Sequence, residues 1–171
     1  MKPKIDPKLL IPGDVLHCTA NSFLARAIQL FSRSRINHSA FVVQIEEILY
    51  VIDADRHGTN PKLLDYWIEK EKYSYIVSRP DPNVYDIAAL QKKAFSLAGH
   101  TPYDFASLLR YQLIYQLTGK WKGKQNAEAK EKLYCSEFIA YIFDMEAWYS
   151  CSPQDVFNFM LNSINFKIVN S

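Results

Sequence analysis

The sequence has few cysteines, and they form no disulfide or metal-binding pattern. Among the 171 residues only Cys18, Cys135 and Cys151 carry a thiol, and no two of them have a metal-ligand spacing. Because their number is odd, at least one thiol has no cysteine partner within the chain. This excludes a zinc ribbon or a disulfide scaffold that could be read from spacing, and it favours a reducing compartment.

The sequence also lacks an excess of charge of either sign. Lysine and arginine number 20 against 18 for aspartate and glutamate, which gives a formal net charge of +2. A dedicated nucleic-acid-binding protein is usually far more basic. We therefore expect neither DNA nor RNA among the partners of this protein.

Long apolar runs are missing as well. No stretch approaches the roughly 18 uninterrupted apolar residues that a membrane-spanning helix needs. The N-terminal lysines are not followed by the apolar segment of a signal peptide. We therefore expect a soluble, cytoplasmic protein with no integral membrane association.

The sequence does have the composition of a folded domain. Hydrophobic residues make up 49% and charged residues 22% of the chain, close to the averages for globular proteins. A length of 171 residues suits one domain, which we expect to cover the whole chain, 1–171.

Hydrophobic periodicity and turn residues predict an α+β domain. Its strand-rich part covers about 12–80, its helical part about 83–162 and its closing strand about 164–169. The predicted strands are 15–18, 39–45, 48–54, 73–79 and 164–169. The predicted helices are 21–31, 84–98, 103–117, 133–145 and one that opens at Ser152. Residues 56–61 are interpreted as a loop, and 120–132 as an exposed, lysine-rich insertion.

Cys135 is the candidate nucleophile. It lies at the start of a predicted helix, where unpaired N–H groups and the helix dipole favour a thiolate. A lone cysteine is more often a small buried apolar residue, so catalysis requires a nearby base.

His38 is the candidate base, and Asp53 is the candidate residue to orient it. His38 stands at the entrance of an apolar strand, and antiparallel pairing across the Glu46-Glu47 turn brings Asp53 level with that entrance. A carboxylate on one ring nitrogen leaves the other nitrogen for the thiol of Cys135. We expect the cysteine and histidine side chains to face each other across a groove. The structural alternatives are a histidine that caps a strand and an aspartate that begins a turn.

A metal site is the competing interpretation of the same region. Asp53, Asp55 and His57 alternate along the chain, and with His38 they could supply oxygen and nitrogen ligands. The residues after Asp55 read as a loop, and no pair has the spacing of ligands on a helix. We favour the thiol site and expect no metal and no other cofactor.

Six short motifs complete the sequence signal: Pro12-Gly13-Asp14-Val15-Leu16, His38-Ser39-Ala40-Phe41-Val42-Val43, Tyr50-Val51-Ile52-Asp53-Ala54, Thr101-Pro102-Tyr103-Asp104, Tyr134-Cys135-Ser136-Glu137-Phe138 and Ser152-Pro153-Gln154-Asp155. They resemble the motifs of the NlpC-type cell-wall cysteine peptidases with the two halves exchanged, so that the histidine precedes the cysteine. This order is similar to that of the circularly permuted, YiiX-like papain-fold amidases, which are related to the lecithin:retinol acyltransferase group.

The resemblance implies a permuted papain-like fold, in which an antiparallel sheet packs against a helical part that carries the nucleophile. It implies that Cys135 is the nucleophile, His38 the general base and Asp53 the third polar residue. His57 is the alternative for the third position, because relatives often have glutamate or histidine there. Tyr103 matches a tyrosine whose hydroxyl lies near the oxyanion in that family.

The function implied is a cysteine hydrolase that cleaves an amide bond, with a peptidoglycan-type peptide or a related amide as substrate. Two alternatives remain open at this point. One is a lipid-directed thiol acyltransferase or esterase of the same fold, acting on a lipid-like substrate, and the other is a papain-like module that binds a peptide, lipid or partner without turnover.

Overall fold

The computed structural model describes residues 6–19, 36–55, 57–71, 74–102, 114, 117–118 and 132–169. The predicted helix over 21–31 lies outside these residues. Tyr103 also lies outside them, as do almost all of the predicted helix over 103–117 and of the predicted insertion over 120–132.

Six strands form one sheet in the order β4-β3-β2-β1-β5-β6, and every neighbouring pair is antiparallel. The strands are β1 (Val15–Thr19), β2 (His38–Ile45), β3 (Ile48–Asp55), β4 (Gly58–Leu63), β5 (Ser74–Pro80) and β6 (Phe166–Val169). Five of them were predicted from the sequence to within about two residues at each end. The α+β class is therefore confirmed.

Four α-helices accompany the sheet in the described part of the chain. They are α1 (Leu64–Glu71), α2 (Ile87–Phe95), α3 (Cys135–Ile142) and α4 (Pro153–Asn162). Local chemistry sets where two of them begin. The Asp86 carboxylate accepts a hydrogen bond from the backbone N–H of Ala89, and Ser152 and Asp155 form a capping box ahead of α4. None of the described helices is long and apolar enough to cross a membrane.

The sheet buries an apolar cluster on each of its faces. Successive side chains of a strand point to opposite faces, so in β2 Phe41 and Val43 pack with α2, α3 and α4, whereas Ala40 and Val42 pack with α1. A strand that is covered on both sides reads as a continuous apolar run. This explains why the segment after His38 is so strongly hydrophobic.

The interpretation of residues 58–61 as part of a loop was wrong. Residues Gly58–Leu63 form β4, and Pro61 lies opposite Ile52 within it. Proline cannot donate to a ladder, so it is tolerated on an edge strand, and β4 is at the edge of the sheet. The helix α1 that follows was not predicted.

The Pro12-Gly13-Asp14 turn ties the first strand to the rest of the sheet. Gly13 has a φ of +96°, a conformation that favours glycine. The buried Asp14 carboxylate accepts two hydrogen bonds from Arg79, each 2.8 Å long. This motif therefore has a structural role, because it joins β1 to β5.

Candidate active site

Cys135 is the first residue of α3 and lies almost fully below the surface. It is 1% exposed. The residues before it are held in place by two hydrogen bonds: the backbone N–H of Leu133 donates to the Pro102 carbonyl at 3.0 Å, and that of Tyr134 donates to a Glu137 carboxylate oxygen at 3.2 Å. The first N–H groups of a helix have no partner within the helix, so the thiol stands beside a set of backbone donors.

His38 is the first residue of β2, and it interacts with both Cys135 and Asp53. Its Nε2 lies 2.9 Å from Oδ2 of Asp53. Cys135 lies near enough to the same ring to raise its pKa by charge and by hydrogen bonding. Because Nε2 is engaged by the carboxylate, Nδ1 is the nitrogen left for the sulfur. The sequence-predicted trio thus comes together in the structure, with Cys135 only 1% exposed.

The β2–β3 hairpin brings Asp53 to His38. Phe41 pairs with Ile52 in this hairpin. Continuing the antiparallel register by one residue places Asp53 beside Ala40, on the same face as His38 two residues earlier. The predicted pairing across the Glu46-Glu47 turn is therefore observed, and Ile45 lies opposite Ile48 on either side of it.

Two further side chains hold Asp53, and both were missed by the sequence reasoning. Lys62 Nζ donates to Oδ1 at 2.7 Å, and Trp67 Nε1 donates to Oδ2 at 3.1 Å. They belong to β4 and α1, the two elements that the sequence analysis did not identify. The signal that could have found Lys62 is the alternation of Asn60 and Lys62 on one face of a strand next to β3.

The surroundings of His38 and Asp53 favour the charged form of both side chains. Burial favours the neutral ring of His38, but the charge of Cys135 and the hydrogen bonds to Asp53 and Cys135 outweigh it and raise the pKa of His38 to about 10. Burial likewise opposes ionisation of Asp53, yet the hydrogen bond and charge of His38, followed by those of Lys62, lower its pKa to about 2. A protonated His38 ring beside an ionised Asp53 is therefore the favoured state at neutral pH.

The competing metal site does not fit the arrangement. The ammonium of Lys62 lies between Asp53 and Asp55, at 2.7 Å and 2.8 Å from their carboxylate oxygens. His57 is exposed, and its backbone N–H donates to the Asp55 side chain. Among the residues that the structure describes, no three histidine, cysteine or acidic side chains form a group that could hold a metal ion.

The other two cysteines and His17 are buried in structural positions. Burial, together with the charges of Asp155 and Glu137, raises the pKa of Cys151 to about 12. The Cys18 thiol donates to the Leu16 carbonyl at 3.7 Å. Burial lowers the pKa of His17 to about 3, and its ring pairs with the Ser78 hydroxyl at 3.0 Å.

Comparison with known proteins identifies similar sequences and structures. A family model described as permuted papain-like amidase enzyme, YaeF/YiiX, C92 family, matches residues 10–162. The chain is also similar to the crystal structure of metalloprotein YiiX from Escherichia coli O157:H7, with 20% identity and a TM-score of 0.56, over 93% of this chain and 96% of that one. At that identity the likeness shows the fold alone. No curated protein matches.

Proposed function

Because the chain belongs to the permuted papain-like amidase family of YaeF and YiiX, a family of the cysteine peptidase class, we propose that it cleaves an amide bond with Cys135 as nucleophile, His38 as general base and acid, and Asp53 as the residue that orients His38. The membership confirms the family and the permuted papain-like fold that the six motifs predicted. The three assigned roles and the substrate, a peptidoglycan-type peptide or a related amide, are our proposal.

One observation carries the assignment of roles: the His38 ring is bonded to Asp53 through Nε2 and lies near enough to Cys135 for that cysteine to raise its pKa. A base that is oriented by a third group and lies within reach of a nucleophile is the arrangement that nucleophilic catalysis requires. A protonated His38 places a positive charge beside the attacking sulfur. It also has a proton to give to the leaving amine.

The proposed reaction has two halves. The sulfur of Cys135 attacks the amide carbon, the carbon–nitrogen bond breaks, and the leaving amine takes the proton of His38. In the second half, neutral His38 removes a proton from water, and the resulting hydroxide releases the acyl group from sulfur. The backbone N–H of Cys135 stabilises the oxyanion, and the resemblance offers the Tyr103 hydroxyl as a second donor.

A small thiol reagent tests the proposed roles without knowledge of the substrate. Iodoacetamide suits a sulfur that is 1% exposed, and mass spectrometry separates Cys135 from Cys18 and Cys151. We expect Cys135 to react at least about tenfold faster than the other two, and we expect His38→Ala to remove that advantage, because the thiolate is the reactive form. Equally slow labelling of all three cysteines would instead support a binding module without turnover.

Turnover provides the second arm of the test. Peptide amides and acyl esters are offered to the wild type, to Cys135→Ala and to the matched control Cys151→Ala, each with and without EDTA. We expect amide cleavage that is lost only in Cys135→Ala and persists in EDTA. Cleavage of the esters alone would favour the lipid-directed alternative. Sensitivity to EDTA with indifference to alkylation would contradict a cysteine hydrolase.

A further inference from the structure

We propose that Lys62 and Trp67 are positioning residues for Asp53, and that they hold its carboxylate in the plane in which it meets His38. This inference rests on the proposed function, because it assigns these two residues to the same site. It goes beyond that function by extending the site to β4 and α1.

Both oxygens of Asp53 are engaged by donors from different elements. Oδ1 accepts from Lys62 of β4, and Oδ2 accepts from Trp67 of α1 as well as from His38 of β2. The Asp53 side chain is 3% exposed. An aspartate carboxylate rotates over a broad range about its last torsion, so donors on both oxygens are what restricts it to one plane.

The two positioning residues are themselves fixed. The Trp67 side chain is buried and stacks on Tyr75, with ring centroids 5.9 Å apart and planes 28° apart. Its indole N–H can therefore point in few directions. Lys62 is held from its other side by Asp55, 2.8 Å from its ammonium. A precise site needs this kind of support around the groups that react.

The charges alternate from Asp55 through Lys62 and Asp53 to His38. Each charge is next to charges of the opposite sign, at distances of 2.7–2.9 Å. Without the ammonium, Oδ1 of Asp53 would lose its charged donor, and the carboxylate would be held through Oδ2 alone and could turn out of the plane in which it meets Nε2. The ring of His38 would then be less firmly oriented toward the sulfur of Cys135. Lys62 and Trp67 thus act on the sulfur through two other residues.

The test compares the pH profiles of Cys135 alkylation in Lys62→Met, Lys62→Arg and Trp67→Phe. Lys62→Met removes the charge, Lys62→Arg keeps it, and Trp67→Phe keeps an aromatic ring but removes the N–H donor. We expect the acid limb of the profile to move upward by about half a pH unit to one unit in Lys62→Met. On that limb the rate constant falls about three- to tenfold. Trp67→Phe should move the acid limb by less than Lys62→Met does. In Lys62→Arg, the rate constants on that limb should lie within about twofold of those of the wild type.

A matched control separates positioning from general loss of stability. Lys93 is paired with Asp144 and is 23% exposed, against 24% for Lys62. Lys93→Met should therefore leave the acid limb in place. If Lys62→Met fails to fold, Asp55→Asn, which releases Lys62 without touching Asp53, should shift the limb in the same direction by a smaller amount.

The outcomes distinguish this inference from the proposed function. If His38→Ala and Asp53→Asn slow the alkylation of Cys135 but Lys62→Met, Asp55→Asn and Trp67→Phe leave the profile unchanged, the positioning role is overturned and the proposed function stands. If His38→Ala also leaves the profile unchanged, both are overturned.

Discussion

At the scale of single residues, Asp53 is the group that joins the elements around the site. It accepts hydrogen bonds from His38, Lys62 and Trp67, which come from a strand on either side and from a helix. An ionised carboxylate can accept several such bonds, and each of them favours its charged form. Asp53 should therefore contribute to stability as well as to the proposed chemistry.

The free energy of unfolding should depend on pH through this pair. The pKa of Asp53 is lowered from 3.8 to about 2, so its contribution is present above pH 3.8 and is lost as the pH falls toward 2. The pKa of His38 is raised from 6.5 to about 10, so its contribution is present below pH 6.5 and is lost as the pH rises toward 10. Both are present in full between about pH 4 and 6.5.

We therefore expect the stability difference between the wild type and Asp53→Asn to be largest between about pH 4 and 6.5 and to narrow on both sides. Urea unfolding at pH 3, 5.5 and 9 measures it. Glu47→Gln, which removes one exposed carboxylate from the β2–β3 turn, is the control for loss of a negative charge. A difference that is constant over the whole pH range would contradict the assigned pairing.

At the scale of elements, the start of β4 is linked to the start of α3 through a short chain of backbone contacts. The backbone N–H of Thr59 donates to the Thr101 carbonyl at 3.0 Å, and the backbone N–H of Gly99 donates to the Thr59 carbonyl at 2.7 Å. Pro102 then accepts from Leu133, two residues before Cys135. The edge strand β4 thus helps to locate the nucleophile relative to the sheet that carries His38.

Gly58 permits this close approach, and Gly99 offers a matched control. Both have positive φ angles, +93° and +76°. A Cβ at Gly58 would lie 3.0 Å from the Thr101 carbonyl oxygen, whereas one at Gly99 would meet nothing within 4 Å. We expect Gly58→Ala to lower the free energy of unfolding by about 2–3 kcal/mol and Gly99→Ala by about 1 kcal/mol. Chemical denaturation measures both, and equal losses would show that the contact with Thr101 has no energetic role.

At the scale of the whole molecule, the sheet gathers residues that are far apart in sequence. Its middle strands carry His38 and Asp53, α3 packs across β2 with Cys135 at its start, and α1 covers the opposite face with Trp67. The ion pair of Asp14 and Arg79 joins β1 to β5. This pair therefore supports the central part of the sheet on which the site depends.

Removing one partner of that pair should lower the free energy of unfolding substantially. Arg79 also donates to the Leu9 carbonyl at 2.7 Å, and Asp14 is 0% exposed. Arg79→Met leaves a buried carboxylate without its cation, so we expect a loss of about 3–5 kcal/mol. The double variant Asp14→Asn with Arg79→Met carries no buried charge and should recover part of that loss in urea unfolding. A double variant as unstable as Arg79→Met alone would contradict this account.

The sequence predicted the elements whose signal is local. The apolar runs of β1, β2, β3 and β5 and the glycine, proline and cap residues around α2 and α4 act within a few residues, so they can be read directly. The segment of Gly58, Asn60 and Pro61 has the residues of a loop. It becomes a strand because β3 offers it an unpaired edge, which is a property of the sheet and is absent from the segment itself.

For the site, the sequence determined the residue types and their order, and hence the family to which the motifs belong. It also determined that Asp53 would approach His38, because hairpin register follows from the position of the turn. The tertiary structure decided which donors hold Asp53, how deeply Cys135 is buried, and that Lys62 occupies the place between Asp53 and Asp55. These features depend on packing between elements distant in sequence, and no local pattern encodes the distance between them.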